Sequence, residues 1–334
     1  MKDNRLKSFS GAGLVLLSLM IFFTLLPLEA HAEEPEKVVI GVHVNDIQEI
    51  DLRTHSYRLD FYLWFRWNNP EINPAESIEF MNSFEPEDHV RTLIYDEPQK
   101  MPDGSLYMVL RERGKFSAKF PLNDFPFDKQ KLTILLEDSV SDEKGLIYVA
   151  DPATEVPISI NKDIYIPGFL IGVPVLEIGK FFYDTNFGDL NYKGGSNYSR
   201  AKFIIPLSRP EISMAVKIFM PIVLILLCTA LVYFVHPVYI EGRLGVVITA
   251  LLTLVALQLT STSALPEVDY LLLTDKVYLL SYIFIIVTLA QIVLTSSRVK
   301  QESYEKVIKR DILVLFVSTA MMMGGMALIL MRAI

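Results

Sequence analysis

The sequence predicts an all-β sandwich of about ten strands followed by a bundle of four membrane-spanning helices. Short segments of alternating apolar and polar residues, separated by turn signals, recur through residues 33–210. Four apolar stretches follow Pro210, each near the ~20 residues that a helix needs to cross the hydrocarbon core of a bilayer. A length of 334 residues also suits two modules better than one.

The clearest strand prediction falls on residues 57–67, whose sequence is YRLDFYLWFRW. Its odd-numbered residues are all apolar or aromatic, whereas its even-numbered residues include two arginines and an aspartate. This alternation is typical of a half-buried strand. Weaker alternation recurs at residues 38–44, 106–110, 132–136 and 199–207. Turn signals such as Pro102-Asp103-Gly104 separate the segments.

The first 32 residues have the parts of a secretory signal peptide. Basic residues precede an apolar core at residues 14–26, and Ala30-His31-Ala32 fits a small-residue cleavage site. An uncleaved anchor helix is the alternative, and either segment exports the chain from Glu33 onward. The predicted domains are a signal peptide at 1–32, a periplasmic β-domain at 33–210 and a membrane domain at 211–334.

The four predicted spans are residues 214–235, 244–263, 277–294 and 312–331. The linker at residues 297–310 is rich in Lys and Arg, which indicates a cytoplasmic loop. The linker after the second span is acidic, as is typical of an external loop. An exported N-terminal domain and four crossings put the C-terminus outside as well, so two independent arguments give one topology.

Composition and motifs exclude several classes of function. The net charge of −8 is concentrated in residues 33–210, which argues against a nucleic-acid partner. The five histidines lack metal-ligand spacing, and no nucleophile motif or phosphate-binding loop is evident, so we expect neither an enzyme nor a cofactor. The single cysteine, Cys228, lies in a predicted span and allows no disulfide within the subunit.

A family resemblance rests first on residues 120–130, FPLNDFPFDKQ. The FPFD centre followed by Lys129-Gln130 resembles the signature loop of the Cys-loop receptor superfamily, whose members are pentameric ligand-gated ion channels. In animal members a cysteine stands seven residues on either side of the first Phe of that centre. Those positions are Ala118 and Leu132 here, as in the bacterial branch that lacks the disulfide.

Further markers fall at the spacing of that superfamily. Arg209 ends the last predicted strand, and Pro221 lies within the first span. The second span is entered through Glu241-Gly242-Arg243 and left through Leu265-Pro266. The resemblance implies an immunoglobulin-like sandwich and assembly with four identical subunits into a closed pentamer. It also implies a multi-pass protein in the inner membrane of a bacterium.

Seven residues on one face of the second span form a stripe whose order of side chains is typical of a pore lining. At 100° per residue, seven residues stay within an arc of about 80°: Glu241, Gly245, Thr249, Leu252, Ala256, Leu259 and Ser263. Five copies of Glu241 would select monovalent cations, and rings of Leu252, Ala256 and Leu259 would form a gate that can lose its water. The alternative is a buried helix whose stripe only packs. Arg243, about 200° from Glu241, is expected to point to the cytoplasmic lipid headgroups.

The resemblance also implies a coupling region and a ligand surface. Coupling between the domains is expected at Asp128, Arg209, Pro126 and Pro266, with Asp51 or Glu49 as a second acid for Arg209. Ligands are expected between subunits, beside the loop that joins the last two strands. The candidate residues are Phe181, Phe182, Tyr183, Tyr192 and Tyr198, opposed by Tyr62, Trp64, Arg111 and Arg113. The aromatic rings favour a small amine through cation–π contact.

Alternatives remain at the level of the sequence. A proton or a divalent cation is an alternative ligand, because acidic residues are abundant in the exported domain. A membrane-anchored periplasmic sensor without conductance is an alternative function, although it has no need for the stripe on the second span. A small transporter would show inverted repeats or broken helices, and neither is evident.

Overall fold

The structure is a computed structural model that describes residues 34–153, 157–188, 190, 194–299 and 303–331. The expected signal peptide lies outside the described residues. Two β-sheets and four long helices form the described part. The strands are β1 Glu36–Asp51, β2 Ser56–Trp67, β3 Ile78–Phe80, β4 Ser83–Phe84, β5 Val90–Leu93, β6 Gln99–Lys100, β7 Leu106–Ser117, β8 Lys129–Asp138, β9 Leu146–Ala150, β10 Ile158–Ile160, β11 Leu170–Ile171, β12 Val175–Tyr183 and β13 Ser196–Ser208.

The strands form one sheet of eight and one of five. The larger sheet has the order β10-β1-β2-β7-β4, with β5 and β6 on β7 and β9 on β1. The smaller sheet has the order β11-β13-β8-β3, with β12 on β13. The described strands outnumber the ten or so that we expected. Several of them, such as β4, β6 and β11, are two residues long and too short to show any alternation.

The core of the sandwich confirms the alternation seen in residues 57–67. In β2 the odd-numbered side chains, such as Tyr57, Phe61 and Phe65, are buried, while the even-numbered residues from Arg58 to Arg66 are half-buried. Buried Asn82 joins the two sheets, because its amide donates to the Ser117 and Thr133 carbonyl oxygens at 2.9 Å. These bonds satisfy the buried amide, which would otherwise be costly.

Four helices among the described residues are long and apolar enough to cross a membrane. They are α1 Glu211–Leu231, α2 Ile240–Thr262, α3 Leu273–Arg298 and α4 Tyr304–Met331. Each begins earlier than the predicted span, because the helical backbone continues into the polar residues that flank the apolar stretch. A 3-10 turn, Val232–Phe234, follows α1. Within the β-domain lie one α-helical turn, Pro74–Ser77, and one 3-10 turn, Pro86–Asp88.

The helices differ in how much each buries within the subunit. Helix α3 is the most buried, with side chains such as Val277, Phe284 and Ile292 in the apolar core of the bundle. Helix α2 buries Arg243, Val247, Ala250 and Leu254, and α4 buries three residues. Helix α3 therefore lies at the centre of the bundle, and α2 and α4 present most of their surface outward.

Candidate functional site

The pore stripe of α2 lies entirely on the exposed surface of the subunit. All seven stripe residues are exposed, and Leu252 and Leu259 are exposed by 64% and 67%. At 100° per residue, the centre of the stripe lies about 170° from the centre of the four buried residues of α2. The stripe therefore faces away from the other helices of its own subunit.

The two hydroxyl groups of the stripe are hydrogen-bonded to the backbone of α2. Thr249 Oγ1 donates to the Gly245 carbonyl oxygen at 2.8 Å, and Ser263 Oγ donates to the Thr260 carbonyl oxygen at 2.8 Å. Each hydroxyl hydrogen is therefore used by the helix backbone, and acceptor capacity remains on the exposed side. Such oxygens can stabilise a partly dehydrated cation.

The expectation for Arg243 was wrong. Its side chain is fully buried, and Nη2 donates to Asp311 Oδ2 of α4 at 2.7 Å. Asp311 Oδ1 accepts from Gln291 Nε2 at 2.8 Å and from Thr295 Oγ1 at 2.9 Å. Arg243 lies on the face of α2 opposite to the stripe, so its side chain enters the helix bundle. There the ion pair with Asp311 offsets the free-energy cost of burying the guanidinium. A lone aspartate at the edge of the fourth span was the signal that sequence reasoning missed.

The coupling region contains a buried ion pair between Asp128 and Arg209. Arg209 Nε lies 2.7 Å from Asp128 Oδ1, and the two side chains are exposed by 7% and 1%. The guanidinium also stacks on two rings, 5.1 Å from the centroid of Phe125 and 4.5 Å from that of Phe169. Phe169, from the loop before β11, was not predicted from the sequence.

Two acids expected beside Arg209 lie elsewhere. Asp51 accepts a hydrogen bond from the backbone amide of Arg53 at 2.8 Å and so closes its own turn. Glu49 pairs with Arg58 Nε at 3.1 Å. Neither pairs with Arg209 in the described part of the chain, because the geometry of the β1–β2 turn gives each acid a partner close in sequence.

The signature loop contacts the membrane domain directly. The Leu122 amide donates to Tyr270 Oη at 3.0 Å, and the Leu273 amide donates to the Asn123 carbonyl oxygen at 2.9 Å. Buried Leu122, Phe125 and Leu272 form an apolar cluster. Leu52, Ile218, Leu265, Val268 and Tyr270 pack against it. This apolar cluster is therefore the contact at which four parts of the chain meet: the β1–β2 turn, the signature loop, α1 and the α2–α3 loop.

The two expected prolines lie close to this contact. Pro126 is buried within the signature loop, next to Phe125. Pro266 is half-buried in the α2–α3 loop, where it lines a cleft with Arg53 and His55 of the β1–β2 turn. The structure therefore brings Pro266 to the turn between β1 and β2.

The aromatic residues of β12 and β13 form a cluster around a charged pair. The Tyr183 ring contacts Phe181 at 4.8 Å and Tyr198 at 5.6 Å between centroids. The Arg200 guanidinium lies 3.5 Å from the centroid of Phe181 and pairs with buried Glu137. Burial and the hydrogen bond that Tyr183 donates to Glu137 raise the pKa of Tyr183.

Phe182, one of the expected ligand residues, does not join this cluster. Phe182 points to the other face of β12, where it covers Gly195. An alanine at Gly195 would place its Cβ 2.5 Å from the Phe182 ring. Tyr192 lies outside the described residues. Phe187, which the sequence did not single out, completes the cluster at 5.4 Å from Tyr183.

The opposing residues share the outward face of β2 and β7. Tyr62 is paired in register with Arg111, whose guanidinium lies 5.3 Å from the Tyr62 ring and bonds Asp60. Trp64 Nε1 donates to Asp151 Oδ2 at 2.9 Å. The Trp64 ring packs against Gly41, where a Cβ atom would collide with it. Hydrogen bonds from Arg111 lower the pKa of Asp60, and the positive charge of Arg113 lowers it further.

Comparison with known proteins finds an ion channel and receptor subunits as relatives of this chain. No family model matches the chain. It is 19% identical over 277 residues to a proton-gated ion channel of Gloeobacter violaceus, which covers 78% of this chain and 73% of that protein. It is 21% identical over 264 residues to the human glycine receptor subunit beta, and the match covers 72% of this chain. The chain spans 51% of the length of that receptor subunit.

A third relative is the human gamma-aminobutyric acid receptor subunit rho-3, 20% identical over 282 residues, with 77% of this chain and 57% of that protein matched. The β-sandwich, the four apolar helices and the relatives together define a subunit of a pentameric ligand-gated ion channel. The relatives support the resemblance to the Cys-loop receptor superfamily that residues 120–130 first indicated. It is a multi-pass membrane protein with an extracellular domain, and its relatives are channels rather than enzymes.

Proposed function

We propose that the chain assembles with four identical copies into a cation-selective channel, in which a ligand on the β-domain opens a pore lined by α2. The observation that carries this proposal is the exposure of all seven stripe residues on the face of α2 opposite to its buried face. In a closed five-fold ring, the face turned away from the subunit's own bundle is the one that can line the axis.

Ion selection in this proposal falls to Glu241. The five carboxylates form a ring at the cytoplasmic end of α2 that attracts cations and repels anions. Thr249 follows about two turns further on and offers hydroxyl oxygens to monovalent cations. The relatives differ in the ligands that their names state, so the choice of ion is argued from the residues of this chain.

The gate in this proposal is the apolar middle of the stripe. Rings of Leu252, Ala256 and Leu259 surround a constriction that empties of water when it narrows. Opening requires a movement that reaches α2 from the β-domain. The contact between the signature loop and the α2–α3 loop supplies a route, since Asn123 and Leu273 are hydrogen-bonded directly. Asp128 and Arg209 anchor the loop on the other side.

The ligand surface in this proposal is the subunit boundary between the Tyr183 cluster and the outward face of β2. A small amine would stack on these rings, and it would have to displace Arg200 from Phe181 to gain the closest cation–π contact. A proton is the second candidate ligand. It is favoured by the proton-gated relative and by His89, whose hydrogen bond to Glu112 raises its pKa.

Domain limits and location belong to the same proposal. We assign residues 1–32 to a signal peptide, 33–210 to the periplasmic domain and 211–334 to the channel domain. The bacterial inner membrane holds the channel, and the C-terminus lies on the periplasmic side. The basic linker between α3 and α4 is cytoplasmic, in agreement with the distribution of positive charge around membrane helices.

Current across a planar bilayer, measured on purified protein of known oligomeric mass, tests the proposal. Amines at fixed pH and pH steps without amine are applied in separate arms. A pentamer that conducts cations in either arm supports the proposal. A monodisperse pentamer that carries no current in any arm, or a conducting species of another stoichiometry, contradicts it. Tyr198→Ala abolishes the amine response and leaves the pH response if the amine binds at the Tyr183 cluster.

A further inference from the structure

The buried pair of Arg243 and Asp311 lies beside the residue that selects ions in the proposed function. Arg243 is two residues from Glu241, which is about 3 Å along the helix axis. A positive charge at that level opposes cation entry if it is not balanced. Because the surroundings are protein and lipid rather than water, the field of an unbalanced charge there is weakly screened.

Asp311 is the anion that balances Arg243. The two side chains are exposed by 0% and 1%, and Nη2 lies 2.7 Å from Oδ2. Nε and Nη1 of Arg243 have no hydrogen-bond partner in the described part of the chain. The charge of the Arg243 guanidinium is therefore compensated by the carboxylate of Asp311, which lies on α4 and not on the stripe of α2.

The environment of Asp311 keeps its carboxylate in place. Gln291 and Thr295 of α3 both donate to Oδ1, and Arg243 donates to Oδ2. Asp311 is also one of only three buried residues among those described in α4, with Val307 and Ser318. Burying a charged residue costs free energy, and the ion pair with Arg243 and the two hydrogen bonds from α3 offset that cost.

We propose that Asp311 is a specificity-determining residue for ion selection, although it does not line the pore. Its carboxylate cancels the charge of Arg243, so the Glu241 ring sets the sign of the electric field at the cytoplasmic entrance. This inference rests on the proposed function, because it takes α2 as the pore-lining helix. It adds a residue of α4, a helix that does not carry the stripe, to the selectivity mechanism.

The test is the cation-to-anion permeability ratio, obtained from the reversal potential of purified channels in a KCl gradient. Asp311→Asn leaves Arg243 charged and lowers the ratio by a factor of about two or more. The double variant Arg243→Gln/Asp311→Asn removes both charges and restores the ratio. Glu305→Gln is the matched control, since it makes the same change of charge on the same helix at a side chain that is 78% exposed.

The double variant separates electrostatics from structure. A purely structural role predicts that the double variant is at least as impaired as Asp311→Asn, because both lose the ion pair. An Asp311→Asn channel with the wild-type ratio, or a double variant that conducts without regaining it, overturns the inference. If Glu241→Gln leaves the ratio unchanged, the proposed function fails instead, and the two failures are thereby distinguished.

A buried arginine without its partner can prevent assembly of the Asp311→Asn homopentamer. In that case Asp311→Asn subunits carrying an affinity tag are co-expressed with an excess of untagged wild-type subunits and purified by the tag. Every purified channel then contains at least one altered subunit. The inference predicts discrete single-channel levels with smaller cation current than wild type. A single level equal to wild type in these tagged channels overturns it.

Discussion

At the scale of single residues, two buried ion pairs mark the two ends of the membrane domain. Asp128–Arg209 lies at the contact with the β-domain, and Arg243–Asp311 lies at the start of α2. An exposed ion pair contributes less than about 1 kcal/mol to stability. Removing one partner of a buried pair costs about 3–5 kcal/mol, because the other charge stays buried without compensation.

The first prediction concerns Asp128 and Arg209. Asp128→Asn and Arg209→Gln each lower the stability of the solubilised pentamer by about 3–5 kcal/mol and reduce the open probability. The double variant loses much less than the sum of the two, because it leaves no unpaired buried charge. Unfolding curves and bilayer currents of the four proteins measure the cycle. Arg58→Gln, at an exposed pair, is the control with little effect. Additive losses contradict the coupling role.

The second prediction concerns His89, whose ring nitrogens both face acceptors. Nδ1 lies 2.9 Å from Glu112 Oε1, and Nε2 lies 2.6 Å from the Lys115 carbonyl oxygen. Only the doubly protonated ring can donate to both, and the bond to Glu112 raises the pKa of His89 above 6.5. Arg91 Nε donates to the other oxygen of Glu112 at 2.9 Å.

A raised pKa in the folded state fixes the sign of the pH effect. The stabilisation is complete below the unfolded-state value of 6.5 and is lost as the pH rises through the folded-state pKa. The temperature of the unfolding midpoint therefore decreases as the pH rises above 6.5 and through the folded-state pKa of His89. His89→Gln removes this part of the pH dependence, while His43→Gln, at an exposed bond to Ser159, preserves it. Equal pH profiles for wild type and His89→Gln contradict the assignment.

At the scale of elements, local patterns predicted what depends on one helix or strand. The alternation of β2 and the stripe of α2 both follow from the geometry of a single element. The structure buries the apolar face of β2 and leaves the stripe of α2 exposed on the subunit. Partners that are distant in sequence were not predictable. Arg243 and Asp311 are 68 residues apart, and local periodicity cannot indicate which helix will lie against Arg243.

The same limit applies at the ligand surface and the domain contact. The sequence indicated aromatic residues near β12, but not that Arg200 covers Phe181 at 3.5 Å. It indicated Arg209, but not that Phe169 stacks on it at 4.5 Å. In both cases the missing information is the packing of one element on another, which a single sequence does not contain.

The third prediction belongs to α2 as an element. Leu252→Ser places a hydroxyl ring in the constriction, wets it and raises the open probability in the absence of ligand. Val246→Ser is the matched control. Val246 is also exposed in the subunit, but it lies about 100° from the centre of the stripe and so lines no ring. Single-channel recordings without ligand compare the two. A Leu252→Ser channel that stays closed like wild type places the gate elsewhere.

At the scale of the whole molecule, the subunit is incomplete on its own. Large apolar side chains of α1 and α2, such as Val223, Leu227 and Ile248, are about half exposed. The stripe of α2 is exposed as well, and lipid cannot satisfy the carboxylate of Glu241. The ring of five subunits in the proposed function resolves both features, since apolar flanks pack between neighbours and the stripe faces the axis of the ring.

The measurement that tests the account most directly is the reversal potential of the purified pentamer in a KCl gradient, for wild type and Glu241→Gln. Wild-type channels are expected to reverse close to the potassium equilibrium potential, because the Glu241 ring repels chloride. In Glu241→Gln channels the reversal potential moves toward zero, while the open constriction and the pentameric mass are unchanged. A wild-type channel that favours chloride, or a Glu241→Gln channel with undiminished cation preference, contradicts the account.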